Sequence, residues 1–190
     1  VVGKVAKRIF HDPEIAFDYD AYDTCAPLVG DNLRILDLYQ SLNWHILRTD
    51  ITTAIQDGCK AIFIDPITNL TNGVDPSQTN TLLQEFAQEL AYIAKDSNVL
   101  IFLFCHLKAP ESGQPHERGG KVYSSQFAGS RAMMRSCNLM ASLEGNKDPD
   151  LSIEQRNMRR LIVLEDREFG ATGVINLHYD IETGCYEEVP

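Results

Sequence analysis

The sequence has no loop of its own for wrapping phosphates. That task needs G-x-x-x-x-G-K-S/T, whose backbone N–H groups surround the phosphate oxygens. Only two Gly-Lys pairs occur. Gly3-Lys4 has no preceding loop and is followed by Val5. Gly120-Lys121 is followed by Val122, with Pro115 at the first glycine position. Also missing are G-x-S-x-G, H-E-x-x-H and the dinucleotide glycine fingerprint, so those hydrolase, zinc-protease and oxidoreductase signatures are excluded. No apolar run approaches the ~20 residues of a membrane span, and no secretory signal is visible. The five cysteines, Cys25, Cys59, Cys105, Cys137 and Cys185, are odd in number and never spaced C-x-x-C. They read as reduced packing residues of a cytoplasmic protein, not as a disulfide framework or a zinc site. Positive charge is scarce: 17 Lys and Arg stand against 27 Asp and Glu, a net charge of −10. A generic nucleic-acid coat is therefore excluded.

A local basic island remains possible, and there is one. Between His106 and Arg135 lie Lys108, Arg118, Lys121, Arg131 and Arg135 against only Glu111 and Glu117. The plain alternative is a solvated loop. Length and composition suit one domain with a sizeable core.

Two apolar runs dominate. Ala61-Ile62-Phe63-Ile64 ends in Asp65-Pro66, and Val99 to Cys105 ends in His106, with a long amphipathic stretch between them. Short apolar runs bounded by turn signals read as buried parallel strands, and the intervening helix as a crossover. Ligands of open α/β sheets lie outside the carboxyl ends of the strands, so Asp65 and His106 are expected side by side at such an edge.

Elsewhere, Val1 to Phe10 has a helical pattern with no cap before Val1, and the chain is expected to begin inside an element. Residues 11–32 suggest short helical turns at best, and Ile35 to Leu38 a strand. Ser41 or Asn43 caps a helix carrying Trp44, Leu47, Ile51 and Ile55 that Gly58 stops. Thr68 to Asn80 reads as a loop, overlapping a helix from about Pro76 to Asp96 with Leu82, Leu83, Phe86, Leu90 and Ile93 on one face. Lys108 to Gln126, with Pro110, Gly113, Pro115, Gly119 and Gly120, is a long mobile loop of the kind that is usually functional or disordered. A short helix, Ala128 to Arg135, and a strand, Leu139 to Leu143, follow. Gly145 to Arg156 reads as a polar loop. Strands at Leu161–Leu164, Val174–Tyr179 and Cys185–Val189, joined through Gly170, Gly173 and Gly184, form an antiparallel meander at the sheet edge. There is no internal repeat.

Three residues have the chemistry of phosphate handling. Asp65 suits Mg²⁺, directly or through water, although many strands end in a loop-capping aspartate. His106 suits a phosphate oxygen or an oriented water, with a satisfied strand-end histidine as the alternative. Arg167, in the turn Glu165 to Gly173, has the planar permanent charge that stabilises a transferring phosphoryl group, unless it is a surface arginine paired with Glu165 or Asp166.

Taken together, these residues resemble the C-terminal motor domain of DnaB-like and phage primase-helicase replicative helicases. Ile62 to Ile67 resembles the Walker B strand. Phe104-Cys105-His106-Leu107-Lys108-Ala109-Pro110 resembles the motif whose histidine senses the γ-phosphate and whose loop enters the channel to hold single-stranded DNA. Phe127 to Ala132 through Glu144 resembles the helix and strand that follow. Arg167 with Gly170 to Gly173 resembles the arginine-finger hairpin, and Tyr179 to Tyr186 the closing strands. The match covers about residues 45–188.

The resemblance implies a RecA-like α/β fold: a mostly parallel twisted sheet flanked by helices, with an antiparallel C-terminal meander. It implies an N-terminally truncated domain spanning residues 1–190, because the family's P-loop strand and catalytic-glutamate strand would precede Val1. It further implies an NTP-dependent DNA helicase acting as a homo-hexamer in a bacterial host cell. ATP or another NTP and Mg²⁺ would be bound only together with the P-loop segment. Catalytic roles fall to Asp65, which holds Mg²⁺, and to His106 and Arg167. Nucleotide sensing falls to Arg135, where phage enzymes often have glutamine. DNA contact falls to Lys108, Arg118, Gly119, Gly120 and Lys121, with Asn146 to Asp150 nearby. Many members carry a basic residue where this chain has Glu165. A primase or helicase loader is the implied partner, with no membrane. The rival readings are a non-hydrolysing RecA-like assembly module and a RecA-type recombinase ATPase.

Overall fold

The computed structural model describes residues 2–8, 10, 12, 14–36, 43–127 and 130–190. In chain order the elements are α1 (Val2–Ala6), α2 (Tyr19–Val29), α3 (Trp44–Gln56), β1 (Ala61–Ile64), α4 (Pro76–Ser97), β2 (Leu100–Leu103), α5 (Ser130–Ser136), β3 (Leu139–Gly145), α6 (Ile153–Asn157), β4 (Met158–Asp166), β5 (Gly173–Tyr179) and β6 (Tyr186–Glu188). Strands β1 and β2 pair in parallel, Ala61 opposite Leu100 and Ile64 opposite Leu103. Helix α4 is the crossover between them. Its start is capped by Asp75, whose carboxylate accepts the Ser77 N–H, and it ends at Asn98 in the left-handed region.

Leu83, Phe86, Ala87 and Leu90 recur at helical spacing on α4 and are all buried. They meet Leu47 and Ile51 of α3, Ile64 of β1, Met133 of α5, and Ile67 and Leu70 of a 3-10 turn that follows β1. Ile62, Ile101 and Leu103 pack against this core, while Phe63 and Phe102, neighbours in the ladder, stack 4.6 Å apart on the other face of the pair. Trp44 stacks on Phe86 at 4.7 Å, and its indole N–H donates to Glu89, which also pairs with Arg48 at 2.6 Å. Leu90 is 1% exposed. Leu90→Ala should therefore cost about 2–5 kcal/mol of stability, read from the urea midpoint at unchanged slope.

Strands β3, β4, β5 and β6 form an antiparallel sheet in that order. The expected C-terminal meander is present, but β3 belongs to it. Among the described residues no ladder joins it to β1–β2, and parallel pairing is confined to that one pair. The expected mostly parallel sheet is thus not seen in this part of the chain. Only one long helical crossover lies between paired strands here; β3 to β6 follow one another through turns and a short loop, which favours antiparallel pairing.

Three local expectations are corrected. Residues 19–29 form a full helix, capped by Asp18 accepting from Ala21 N–H, despite Pro27 and a run of acids. Residues 67–71 form a 3-10 turn where a loop was expected. Within the expected Gly145–Arg156 loop, Ser152 and Gln155 make a reciprocal capping box that starts α6. Leu33 to Leu36 form no ladder, and Asp37 and Leu38 of the expected strand lie outside the described residues. So do Val1, Ile9, Ser41, Ala128 and Gly129.

Candidate functional site

The carboxyl edge of β1–β2 is built by continuing the ladder. Phe104 N–H donates to Ile64 O at 2.9 Å, and Ile67 N–H returns to Phe104 O at 2.9 Å. The chain after β1 is thereby laid against the chain after β2, which places Asp65 and His106 on the same edge. Asp65 is exposed, and its carboxylate has no hydrogen-bond or ion-pair partner among the described residues. His106 is exposed too, and its Nδ1 lies 2.8 Å from the Thr68 hydroxyl. Among the described residues no three His, Cys, Asp or Glu side chains gather around a metal position. Mg²⁺ does not need such a cage: it takes one or two carboxylates and fills its shell with water and substrate phosphates. A lone exposed, unpaired Asp65 fits that donor set.

The segment 108–126 is irregular but held at its base. Lys108 N–H donates to Gln126 O at 2.7 Å, and Leu107 bridges Phe127. Gly120 is buried, and a Cβ there would come within 2.0 Å of Gln114 O, so no other residue fits. Gly119 takes φ +86, the left-handed region, against Asn146. The β3–β4 connection supports the segment from one side: Lys147 N–H donates to Glu117 O at 2.7 Å, and Arg118 bridges Asn146. Lys108 and Lys121 line one cavity of about 670 Å³ with Pro110, Gly113, Gly120 and Tyr123. Arg118 does not line it; its guanidinium lies 3.8 Å from Asp148. Two of the three expected DNA-contacting cations are therefore brought together, and the third is turned toward an acid.

Arg167 sits in the β4–β5 turn, with its N–H on Asn138 O at 2.9 Å. Its Nη1 donates to the Arg135 carbonyl at the end of α5, at 2.6 Å. It pairs with neither Glu165 nor Asp166; Asp166 instead accepts the N–H groups of Glu168 and Phe169. Arg135 thus touches Arg167 through its main chain. Neither arginine shares a hydrogen bond or ion pair with Asp65 or His106 among the described residues. Cys105, beneath this edge, has its thiol pushed up to about 11 by burial, with Cys137 adding to the shift.

No family model matches the chain. The DNA helicase/primase of Enterobacteria phage T3 is 30% identical over 131 residues, 68% of this chain and 22% of the phage protein. The ATPase domain of a DnaB-like helicase superposes with a TM-score of 0.71 at 14% identity, over 100% of this chain and 70% of that one. The chain belongs to the DnaB-like, phage primase–helicase family. Its α/β fold is that of DnaB-like helicase ATPase domains. A DnaB-like replicative helicase, described with its interactions with primase, superposes at TM-score 0.65 and 15% identity, over 97% of this chain and 46% of that one. The chain spans about a fifth of the phage relative's length.

Two features of this helicase-family chain were missed in the sequence. Thr68 sat in an expected loop and had no partner until the two strand ends were brought together. Glu144 is the other: its side chain is 4% exposed, takes the Val122 N–H at 2.7 Å, and pairs with Arg160 at 2.5 Å. A signal existed. Met140, Ser142 and Glu144 alternate along β3 and are all buried, so a carboxylate at an inward-facing strand position demanded a partner. Glu144→Ala strands the Val122 N–H and unpairs Arg160. It should cost about 3 kcal/mol and speed amide exchange at Val122, measured by urea unfolding and hydrogen exchange.

Proposed function

We propose that residues 1–190 form part of one RecA-like motor domain of an NTP-dependent replicative DNA helicase, working as a hexameric ring on single-stranded DNA in the bacterial host cytoplasm. The observation that carries the reading is the shared edge of Asp65 and His106, one unpaired carboxylate beside one oriented imidazole. Homology to a phage helicase/primase supports it. In this reading the NTP, held by a P-loop segment elsewhere in the intact protein, is the substrate and sits between subunits. Asp65 holds Mg²⁺, which when bound neutralises charge on the phosphates. His106 presents Nε2 to the γ-phosphate, and Arg135 assists phosphate sensing. Arg167 serves the neighbouring subunit's site. Lys108, Arg118 and Lys121, with the Gly119-Gly120 backbone, face DNA phosphates in the channel. A basic island is enough for this, so an acidic total charge is no obstacle. Primase is the proposed partner, supported by a structural neighbour described with its interactions with primase; a helicase loader is the second.

The 190-residue chain alone is expected to show no NTP hydrolysis, since it lacks the backbone nest and lysine that hold the β- and γ-phosphates. The intact protein should hydrolyse NTP with stimulation by single-stranded DNA, and Asp65→Asn should abolish that turnover. An intact protein that binds NTP without turning it over would make it an assembly module. Open filaments in electron micrographs would make it a recombinase-type ATPase.

A further inference from the structure

We infer that Thr68 is a positioning residue for His106, fixing which ring nitrogen carries the proton that meets the phosphate; this rests on the reading of His106 given above. The Thr68 hydroxyl lies 2.8 Å from His106 Nδ1. Both ends of that contact hang from one anchor. Ile67, fully buried, donates its N–H to Phe104 O, and His106 lies two residues beyond Phe104. Thr71 donates its hydroxyl to Thr68 O at 2.8 Å, and Leu70 is 7% exposed, so the 3-10 turn bearing Thr68 is bolted into the core. A β-branched side chain on such a turn has little rotamer freedom, which holds the hydroxyl in place.

A phosphate oxygen only accepts, so a neutral imidazole addressing it needs its proton on Nε2. Nδ1 must then accept, and the hydroxyl is the donor that faces it. Serine can repeat this contact; valine has the same shape and cannot. A single exposed neutral hydrogen bond of this kind biases orientation and tautomer by roughly three- to tenfold.

The test uses the intact protein with Thr68→Val, Thr68→Ser, His106→Ala and the Thr68→Val/His106→Ala double variant. Thr68→Val should lower kcat for NTP hydrolysis about three- to tenfold with KM nearly unchanged, and Thr68→Ser should recover most of the loss. The Val change should cost nothing further once His106 is Ala, because it acts only through the ring. With ¹⁵N-labelled histidine, the His106 Nδ1 resonance should move in the Val variant and stay in the Ser variant. If His106→Ala hydrolyses NTP at the wild-type rate, the reading of His106 fails, and the ring resonance still decides whether Thr68 sets its tautomer. If His106→Ala is impaired but the losses add, or Thr68→Val has wild-type kcat, or the resonance does not move, the inference is overturned. Should Thr68→Val not fold, Thr68→Ala takes its place in every arm.

Discussion

Arg167→Ala is expected to lower NTP hydrolysis by the intact protein about 10³-fold or more, while nucleotide binding and the thermal midpoint barely change. An arginine supplied to a neighbour's transferring phosphate is worth about 10³–10⁵ in rate. The geometry suits that use. The turn is closed by Asp166 and by Gly170 in the left-handed region, so the main chain at Arg167 is fixed. The side chain is exposed and uses one of its donors on the Arg135 carbonyl. That carbonyl ends α5, where a cation is favoured by the helix dipole, so the guanidinium has a resting place within its own chain. Leaving it forfeits one hydrogen bond from a charged donor, about 1.5–3 kcal/mol. Bidentate charge-assisted bonds to a phosphate are at least as strong and more numerous, so a neighbour's site can win the side chain. Mixing tells whether the action crosses subunits. In rings combining Arg167→Ala with Asp65→Asn subunits, some interfaces pair an intact arginine with an intact aspartate. Activity should recover there. Unchanged hydrolysis by Arg167→Ala rings, or no recovery in rings shown to be mixed, would count against the assignment.

What could be read in the sequence follows from how local the determinants are. β1, α4 and β2 were legible because apolar runs and a 3.6-residue stripe are each contained in one segment, and the order strand–helix–strand has one sensible pairing. Their ends therefore located Asp65 and His106. Helix α2 was not legible because its cap, Asp18, is lost among other acids and Pro27 argues against a helix. α6 is a single turn created by two side chains bonding each other's backbones, a signal easily drowned in a polar stretch. The Thr68–His106 contact was out of reach for another reason: the two residues are distant in sequence and meet only through the return of Ile67 N–H to Phe104 O. Arg167 was weighed against its sequence neighbours Glu165 and Asp166, yet its partner is a carbonyl on α5. Main-chain carbonyls have no residue signature, so such a partner cannot be read from side-chain types. The charge island was legible as composition. Its division into Lys108 and Lys121 on one cavity and Arg118 toward Asp148 depends on where the β3–β4 connection lies.

That division sharpens what removing the island should do. Replacing Lys108, Arg118 and Lys121 together by alanine in the intact protein is expected to weaken single-stranded DNA binding for all sequences alike. Each phosphate contact contributes roughly 0.7 to the slope of log affinity against log salt, so three contacts contribute about two. Between about 50 and 200 mM salt, wild-type binding should then fall about 16-fold more than binding by the triple variant. Lys108 and Lys121 have no ion-pair partner among the described residues, so their charges are available without breaking anything. Arg118 must leave Asp148, but an exposed pair at 3.8 Å is worth little, about 0–1 kcal/mol, less than a phosphate contact returns. Asp148→Asn should therefore tighten DNA binding slightly. The base of the segment is held by the Lys108 N–H, Gly120 and the Glu144 contact to Val122, none of which needs the three side chains. The thermal midpoint of the triple variant should thus stay within about a degree or two of wild type, since exposed substitutions rarely change stability by more than about 0.5 kcal/mol. Wild-type affinity and salt slope in the triple variant would remove DNA contact from this segment, and a large fall in the midpoint would assign the three cations to structure instead.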